Sequence, residues 1–317
     1  MNFSEVEQAR RLLRDYLSTT RLIPASSLNT ASGADVYLKL ESEQPTGSFK
    51  VRGALNALSC RQKRGSLEGV VTSSTGNHGA GVAYAARQFN LPAAIFLPAN
   101  PNPAKRARIA HLGAQIFEVG RDLEESRKHA AEFSRERGWP LIVDVDDPDI
   151  CAGAATIGCE ILEQLPGTEV IIVPVGDSNL IRGVAFAAKQ LKGSVRIVGV
   201  QASGAPAYYR SWKEHRALET DTADTIADGL ATRTTTESNV RELGRLVDDM
   251  RVVSDDEMLQ AVRWLLLDEH IVAEPSGAAA TGALLAGGRE FEGKVVVALV
   301  TGANIPIEIL RRAILEF

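Results

Sequence analysis

Cysteine is scarce in this chain. Only Cys60, Cys151 and Cys159 occur; none forms a CxxC pair, and an odd number fits a reducing compartment better than a disulfide framework. The five histidines, His78, His111, His129, His215 and His270, are scattered without metal-ligand spacing. Long apolar runs are also missing: VIIVPV and VVVALV fall far short of the roughly 18 residues of a membrane span. The opening stretch MNFSEVEQARRLLRDYL carries Glu5 and Glu7 and no continuous apolar core, so no signal peptide is expected. Nor is there an excess of basic charge, with 35 Lys and Arg against 40 Asp and Glu, a net charge of −5. No repeat or low-complexity segment interrupts the chain. These absences predict a cytoplasmic protein with neither nucleic-acid nor membrane partners.

What is present is a globular composition. The 317 residues are 44% hydrophobic and 24% charged, which at about 150 residues per domain suggests two domains. Short β-branched runs alternate with Ala-rich amphipathic stretches, a pattern of parallel sheets covered on both faces. Strands are expected near 37–40, 70–74, 93–98, 115–119, 141–145, 170–175, 196–201, 251–254 and 295–302. No linker marks a boundary, so the expectation is two nested α/β domains. Residues 53–145 would form the smaller, and 1–52 plus 146–317 the larger.

In open parallel sheets, ligands bind beyond the carboxyl ends of the strands. Four segments suited to such positions are rich in Gly, Ser, Thr and Asn: PTGSFKVRG (45–53), SSTGNHG (73–79), PVGDSN (174–179) and TGAN (301–304). Such loops turn tightly and expose backbone N–H groups. Lys50, next to Phe49, would ordinarily be a solvated lysine in a first helical turn. Between Phe49 and Val51 it could instead be partly desolvated, and a neutral amine can form a Schiff base with an aldehyde. Ser74, Thr75, Gly76, Asn77 and His78 read as an N-cap and turn, which over a helix start is also a site for a carboxylate or phosphate. Gly176, Asp177, Ser178, Asn179 and Leu180 read either as a capped helix or as a phosphate cradle. Asp177 counts against the cradle because its carboxylate would repel a dianion. The acidic stretch 144–149 lacks the spaced ligands of a calcium loop and is expected to be a solvated turn.

Taken together and in order, SFKVRGA, STGNHG, PVG–N–L and TGAN, with TIADGLA (225–231) and EPSGA (274–278), resemble the fold-type-II pyridoxal-phosphate enzymes. The resemblance is strongest to the threonine/serine dehydratase and serine racemase group and spans nearly the whole chain. It implies a tryptophan-synthase-β-like α/β fold, pyridoxal 5′-phosphate as cofactor held in a cleft, and an amino-acid substrate; a homodimer is expected. By the same resemblance Lys50 carries the cofactor and acts as base, with Phe49 beside it, and Asn77 meets the cofactor's 3′ oxygen. Ser74, Thr75, Gly76, Asn77 and His78 receive the substrate carboxylate. Gly176 to Leu180 hold the phosphate, Thr301 faces the pyridine nitrogen, and Glu274 lies near the cofactor. The implied reaction is α,β-elimination from a β-hydroxy amino acid to a 2-oxo acid and ammonia. Threonine and serine are the default substrates; phenylserine, 3-hydroxyaspartate and hydroxyectoine-type compounds are the bulkier alternatives.

Two departures matter. Relatives usually carry a run of glycines where Gly176-Asp177-Ser178-Asn179 stands here; Asp177 is expected to turn outward while Ser178 and Asn179 add donors. Metal-using relatives place acidic ligands after the strand ending near 201. The stretch Gln201 to Ala207 has no carboxylate, so no metal is expected there. Other readings remain. Thr75 stands where racemases carry an acid/base serine; a β-replacement enzyme would resemble TSGNTG, which His78 opposes; Asp177 keeps alive a catalytically weak sensor of the cofactor or an amino acid. The motifs use the chain from Lys50 to Asn304, leaving no stretch for the C-terminal regulatory domain of biosynthetic threonine dehydratases, so a catabolic enzyme is expected.

Overall fold

The computed structural model describes residues 1–74, 76–101 and 103–317, with backbone alone at 103 and 104. The strands among them are β1 (Leu22–Pro24), β2 (Asp35–Leu40), β3 (Val70–Ser73), β4 (Ala93–Leu97), β5 (Gln115–Glu118), β6 (Val170–Pro174), β7 (Arg196–Ala202), β8 (Asp249–Val253) and β9 (Val295–Val300). They form a six-stranded sheet, ordered β1-β2-β9-β6-β7-β8, and a three-stranded sheet, β3-β4-β5. Every pairing is parallel except β1 with β2 at the edge. The α/β fold with two parallel sheets is as expected.

The chain divides into two compact units, Met1–Ser18 with Gln44–Ala154, and Thr19–Glu43 with Ala155–Phe317. The smaller unit is therefore larger than 53–145. It takes in Phe49, Lys50 and the first helix, Phe3–Leu13, all expected in the other unit. The reason is packing. Leu13 and Leu17 join Val51, Leu55 and Leu58 of the helix Lys50–Arg64 in one buried cluster with Val70, Ile95 and Ile142. Small residues also let elements close up: a Cβ at Gly81 would stand 3.1 Å from the Lys50 carbonyl. On the other face of this sheet Phe96 stacks on Phe117, with ring centres 4.7 Å apart, beside Phe133 and Trp139.

In the second unit β6 and β9 run side by side, with Val170 opposite Val296 and Ile172 opposite Ala298. Both strands are nearly all buried, which explains their unbroken apolar sequences. From β6 the order proceeds through β7 and β8 on one side, while β9 leads to β2 and β1 on the other. This is the switch point of the sheet, where loops diverge and leave room for a ligand. The segment expected as a strand at 141–145 makes only one bridge, Val71 to Leu141. The stretch 20–50 contains one short α-helix, Ser26–Ser32, before Lys50 opens the next.

Candidate active site

In the first unit, Lys50 opens its helix directly after Phe49. Its amine forms an ion pair with Asp144 and lies 5.0 Å from the centre of the Phe49 ring. After β3 the chain turns into the helix Asn77–Gln88, and Ser74 Oγ accepts the Gly76 N–H at 3.1 Å. A Cβ at Gly76 would collide with the Lys105 side chain. Thr75 lies outside the described residues. His78 is buried and its Nε2 sits 3.2 Å from the Ile142 carbonyl oxygen. A carbonyl only accepts, so Nε2 carries the proton and Nδ1 faces Asp144 at 3.7 Å. Burial pushes the His78 pKa below its ordinary 6.5; the Lys50 charge adds to this and Asp144 opposes it. The first unit thus gathers Phe49, Lys50, Ser74, Gly76, Asn77 and His78 around adjoining helix starts.

The sequence reading missed Asp144. The acidic stretch is not a solvated turn. Asp144 pairs with Lys50. Asp147 pairs with Arg61 and accepts the N–H groups of Asp149, at 2.9 Å, and Ile150. Asp149 meets Arg64 at 2.9 Å. The available signal was position: Asp144 closes an apolar run, where a strand-end ligand site is to be sought.

In the second unit the remaining motifs meet one another. β6 leads to Gly176, so close to Gly229 that a Cβ would overlap the Gly229 carbonyl. Gly229 N–H donates to Ser276 Oγ at 3.0 Å. Glu274 is buried, precedes the helix Pro275–Ala286, and its N–H donates to the Gly302 carbonyl at 2.9 Å. Thr301, buried at the end of β9, reaches the Ser276 carbonyl at 3.5 Å. Thus 176, 229, 274–277 and 301–302 form one continuous cluster at the carboxyl ends of β6 and β9. Gly229 and Ser276 fall within the motifs TIADGLA and EPSGA but carried no assigned role; their backing role lies in contacts between the loops.

The loop Gly176 to Leu180 caps the helix Asn179–Leu191. Asp177 accepts the Asn179 N–H at 3.0 Å, so its carboxylate is held on the loop's own backbone. Asn179 and Leu180 are buried in the first helical turn. Ser178 is buried with φ of +76°, and its hydroxyl has no hydrogen-bond partner among the described residues. A buried hydroxyl without a partner is costly and calls for an acceptor. Among the described residues, no group of three or more His, Cys, Asp or Glu side chains could hold a metal ion.

Residues 13–302 match the family model for pyridoxal-phosphate dependent enzymes. The chain is 34% identical to an L-threonine ammonia-lyase of Thermotoga maritima over 314 residues, covering 99% of this chain and 78% of that relative. It is also 34% identical to a catabolic L-threonine dehydratase of Staphylococcus aureus, covering 97% and 90% of the two chains. The structure of maize serine racemase superposes with a TM-score of 0.93 at 29% identity, covering 99% and 97%. The chain belongs to the pyridoxal-phosphate dependent enzymes. Within them it falls in the fold-type-II group of threonine/serine dehydratases and serine racemases.

The residues present fit the family's cofactor. The partnerless Ser178 hydroxyl at a helix N-terminus suits a phosphate oxygen. The glycine-to-backbone contacts at Gly176 and Gly277 bring the loops at the strand ends tightly together, and Lys50 supplies a primary amine at a helix start.

Proposed function

We propose that the chain is a dehydratase, or ammonia-lyase, converting a β-hydroxy amino acid to a 2-oxo acid and ammonia. Threonine and serine are its reference substrates, and larger β-substituents such as those of phenylserine, 3-hydroxyaspartate or hydroxyectoine-type compounds belong to the same reading. The observation that carries it is the Lys50 amine at a helix start beside the buried His78 and the Asn77–Gln88 helix.

Lys50 would hold the cofactor, flanked by Phe49, with Asn77 at its 3′ oxygen. Gly176, Asp177, Ser178, Asn179 and Leu180 would form the phosphate loop, with Ser178 donating. Glu274 and Thr301 complete the set. When bound, pyridoxal phosphate supplies the electron sink that stabilises charge developing at the substrate's Cα. The loop Ser74, Thr75, Gly76, Asn77 and His78 would hold the substrate carboxylate through its N–H groups, which would fix the direction of the Cα–H bond. Lys50, in its neutral form, takes the Cα proton. Thr301 would offer the cofactor's ring nitrogen a neutral hydroxyl, which, unlike a carboxylate, would not hold a proton there. His78 stays neutral through burial and donates from Nε2 to a backbone carbonyl, so its part is to hold the loop.

The deciding experiment follows 2-oxo acid and ammonia from a panel of β-hydroxy amino acids. Release from at least one supports the reading, and none from any member overturns it. A second reading, amino-acid racemisation, is supported by the likeness to maize serine racemase and is checked by chiral analysis of recovered substrate. β-Replacement predicts a new amino acid when a thiol is added. A sensor of the cofactor or an amino acid predicts binding without turnover. The reading includes a homodimer, to be checked by sedimentation, and a cytoplasmic location. Among the described residues no helix is long and apolar enough to cross a membrane.

A further inference from the structure

The Lys50 amine does not stand alone, and its partner is a residue that the motifs do not mark. Asp144 contacts it directly, with the two side chains 18% and 14% exposed. Such a pair is screened little by salt and favours the charged form of the amine. Bonding to an aldehyde demands the opposite: the ammonium must first lose a proton to solvent. Only then can the nitrogen attack the carbonyl carbon, with the oxygen leaving as water.

Charged and titratable groups face this pair from several elements. His78 comes from the helix Asn77–Gln88, 3.7 Å from Asp144, and burial keeps it neutral. Lys105 lies against Gly76 at the loop preceding that helix. Asp147 follows Asp144 by three residues but is held by Arg61 and by the N–H groups of Asp149 and Ile150. The Phe49 ring covers Lys50 on one side. Asp144 places a carboxylate in direct contact with the amine.

We propose that Asp144 is a positioning residue for Lys50. It fixes the amine's direction and holds it as the ammonium in the cofactor-free chain, so that release of this proton controls how fast the cofactor is captured. The inference rests on Lys50 as the cofactor lysine, but its test separates the two ideas.

The full chain, freed of cofactor, is mixed with pyridoxal phosphate across a range of pH, and the rise of the bound cofactor's visible absorbance is timed. In parallel, acetic anhydride labels the amines, and labelling of the Lys50 peptide is read by mass spectrometry. In Asp144→Asn both rates should rise about tenfold or more at neutral pH, the effect of removing one adjacent opposite charge. They should converge with the wild type at alkaline pH, where both amines are neutral. Asp144→Glu should follow the wild type, as should Asp146→Asn, which removes an exposed charge from the same turn. Equal rates in Asp144→Asn and wild type at every pH overturn the proposal. So does a uniform slowing at every pH, the mark of a merely structural role. If Asp144→Asn does not fold, Asp144→Glu decides: a profile superposable on the wild type upholds the pair, and uniform slowing refutes it. Failure of wild-type Lys50 to take up the cofactor would sink its assignment as cofactor lysine, while the acetylation rates would still report on Asp144.

Discussion

The two strand-end clusters are built from different materials. In the first unit the candidate residues work through side chains that carry or exchange charge: Lys50, Asp144 and the neutral His78, within one network. In the second unit the loops are joined through glycine backbone and uncharged hydroxyls, with Gly176 on Gly229, Gly277 on Gly302, and Ser276 and Thr301 as links, while the carboxylates of Asp177 and the buried Glu274 lie beside them. The first arrangement suits moving a proton. The second suits gripping an anion, where any side chain that cannot donate is in the way. The lesson is that a substitution should damage chemistry in one cluster and binding or folding in the other.

The largest expected effect is at Lys50. Lys50→Ala should lower turnover about 10³-fold or more, seen in 2-oxo acid release, with the fold intact by circular dichroism. Retained turnover would erase the distinction between the clusters. Next comes a contrast of glycines. A Cβ at Gly176 meets backbone, whereas one at Gly76 meets the flexible end of Lys105. Gly176→Ala should therefore cost roughly 1–3 kcal/mol in a denaturant titration, and Gly76→Ala clearly less. Equal costs would break the comparison.

A smaller effect is expected at Ser178. Ser178→Ala should weaken cofactor binding by about fivefold to tenfold, the scale of one hydrogen bond of roughly 1 kcal/mol. The melting temperature of the cofactor-free chain should not fall, because the hydroxyl has no partner there. The smallest effect concerns pH. His78 has a folded pKa below its ordinary 6.5, so below that pH the unfolded chain binds a proton that the folded chain resists. Its stabilising contribution is present above pH 6.5 and lost as the pH falls. Urea midpoints for the wild type and His78→Gln, measured on both sides of pH 6.5, should show a shallower acid-side slope in the variant.

Legibility from sequence followed the range of the interactions. The helix Leu123–Arg137 could be read because its signals are local: Asp122 caps the Glu125 N–H at 2.9 Å and Gly138 ends it at φ of +68°. The buried strands β6 and β9 were legible as apolar runs, and loops rich in small polar residues mark strand ends by their composition. What stayed hidden depends on partners far along the chain. Asp144 lies 94 residues from Lys50; its place at the end of an apolar run marks a strand end, but nothing beside it in sequence names its partner. The placement of Met1–Ser18 in the smaller unit rests on Leu13 and Leu17 meeting Leu55 and Leu58, a choice of packing face that periodicity cannot make. The 141–145 run has strand composition, yet it forms one bridge, because β propensity requires a neighbour to pair with.

Ser178 has a last consequence. A serine at φ of +76° occupies backbone territory that glycine enters without steric cost. Ser178→Gly would relax that turn and make the empty protein more robust, while removing the hydroxyl available to a bound anion.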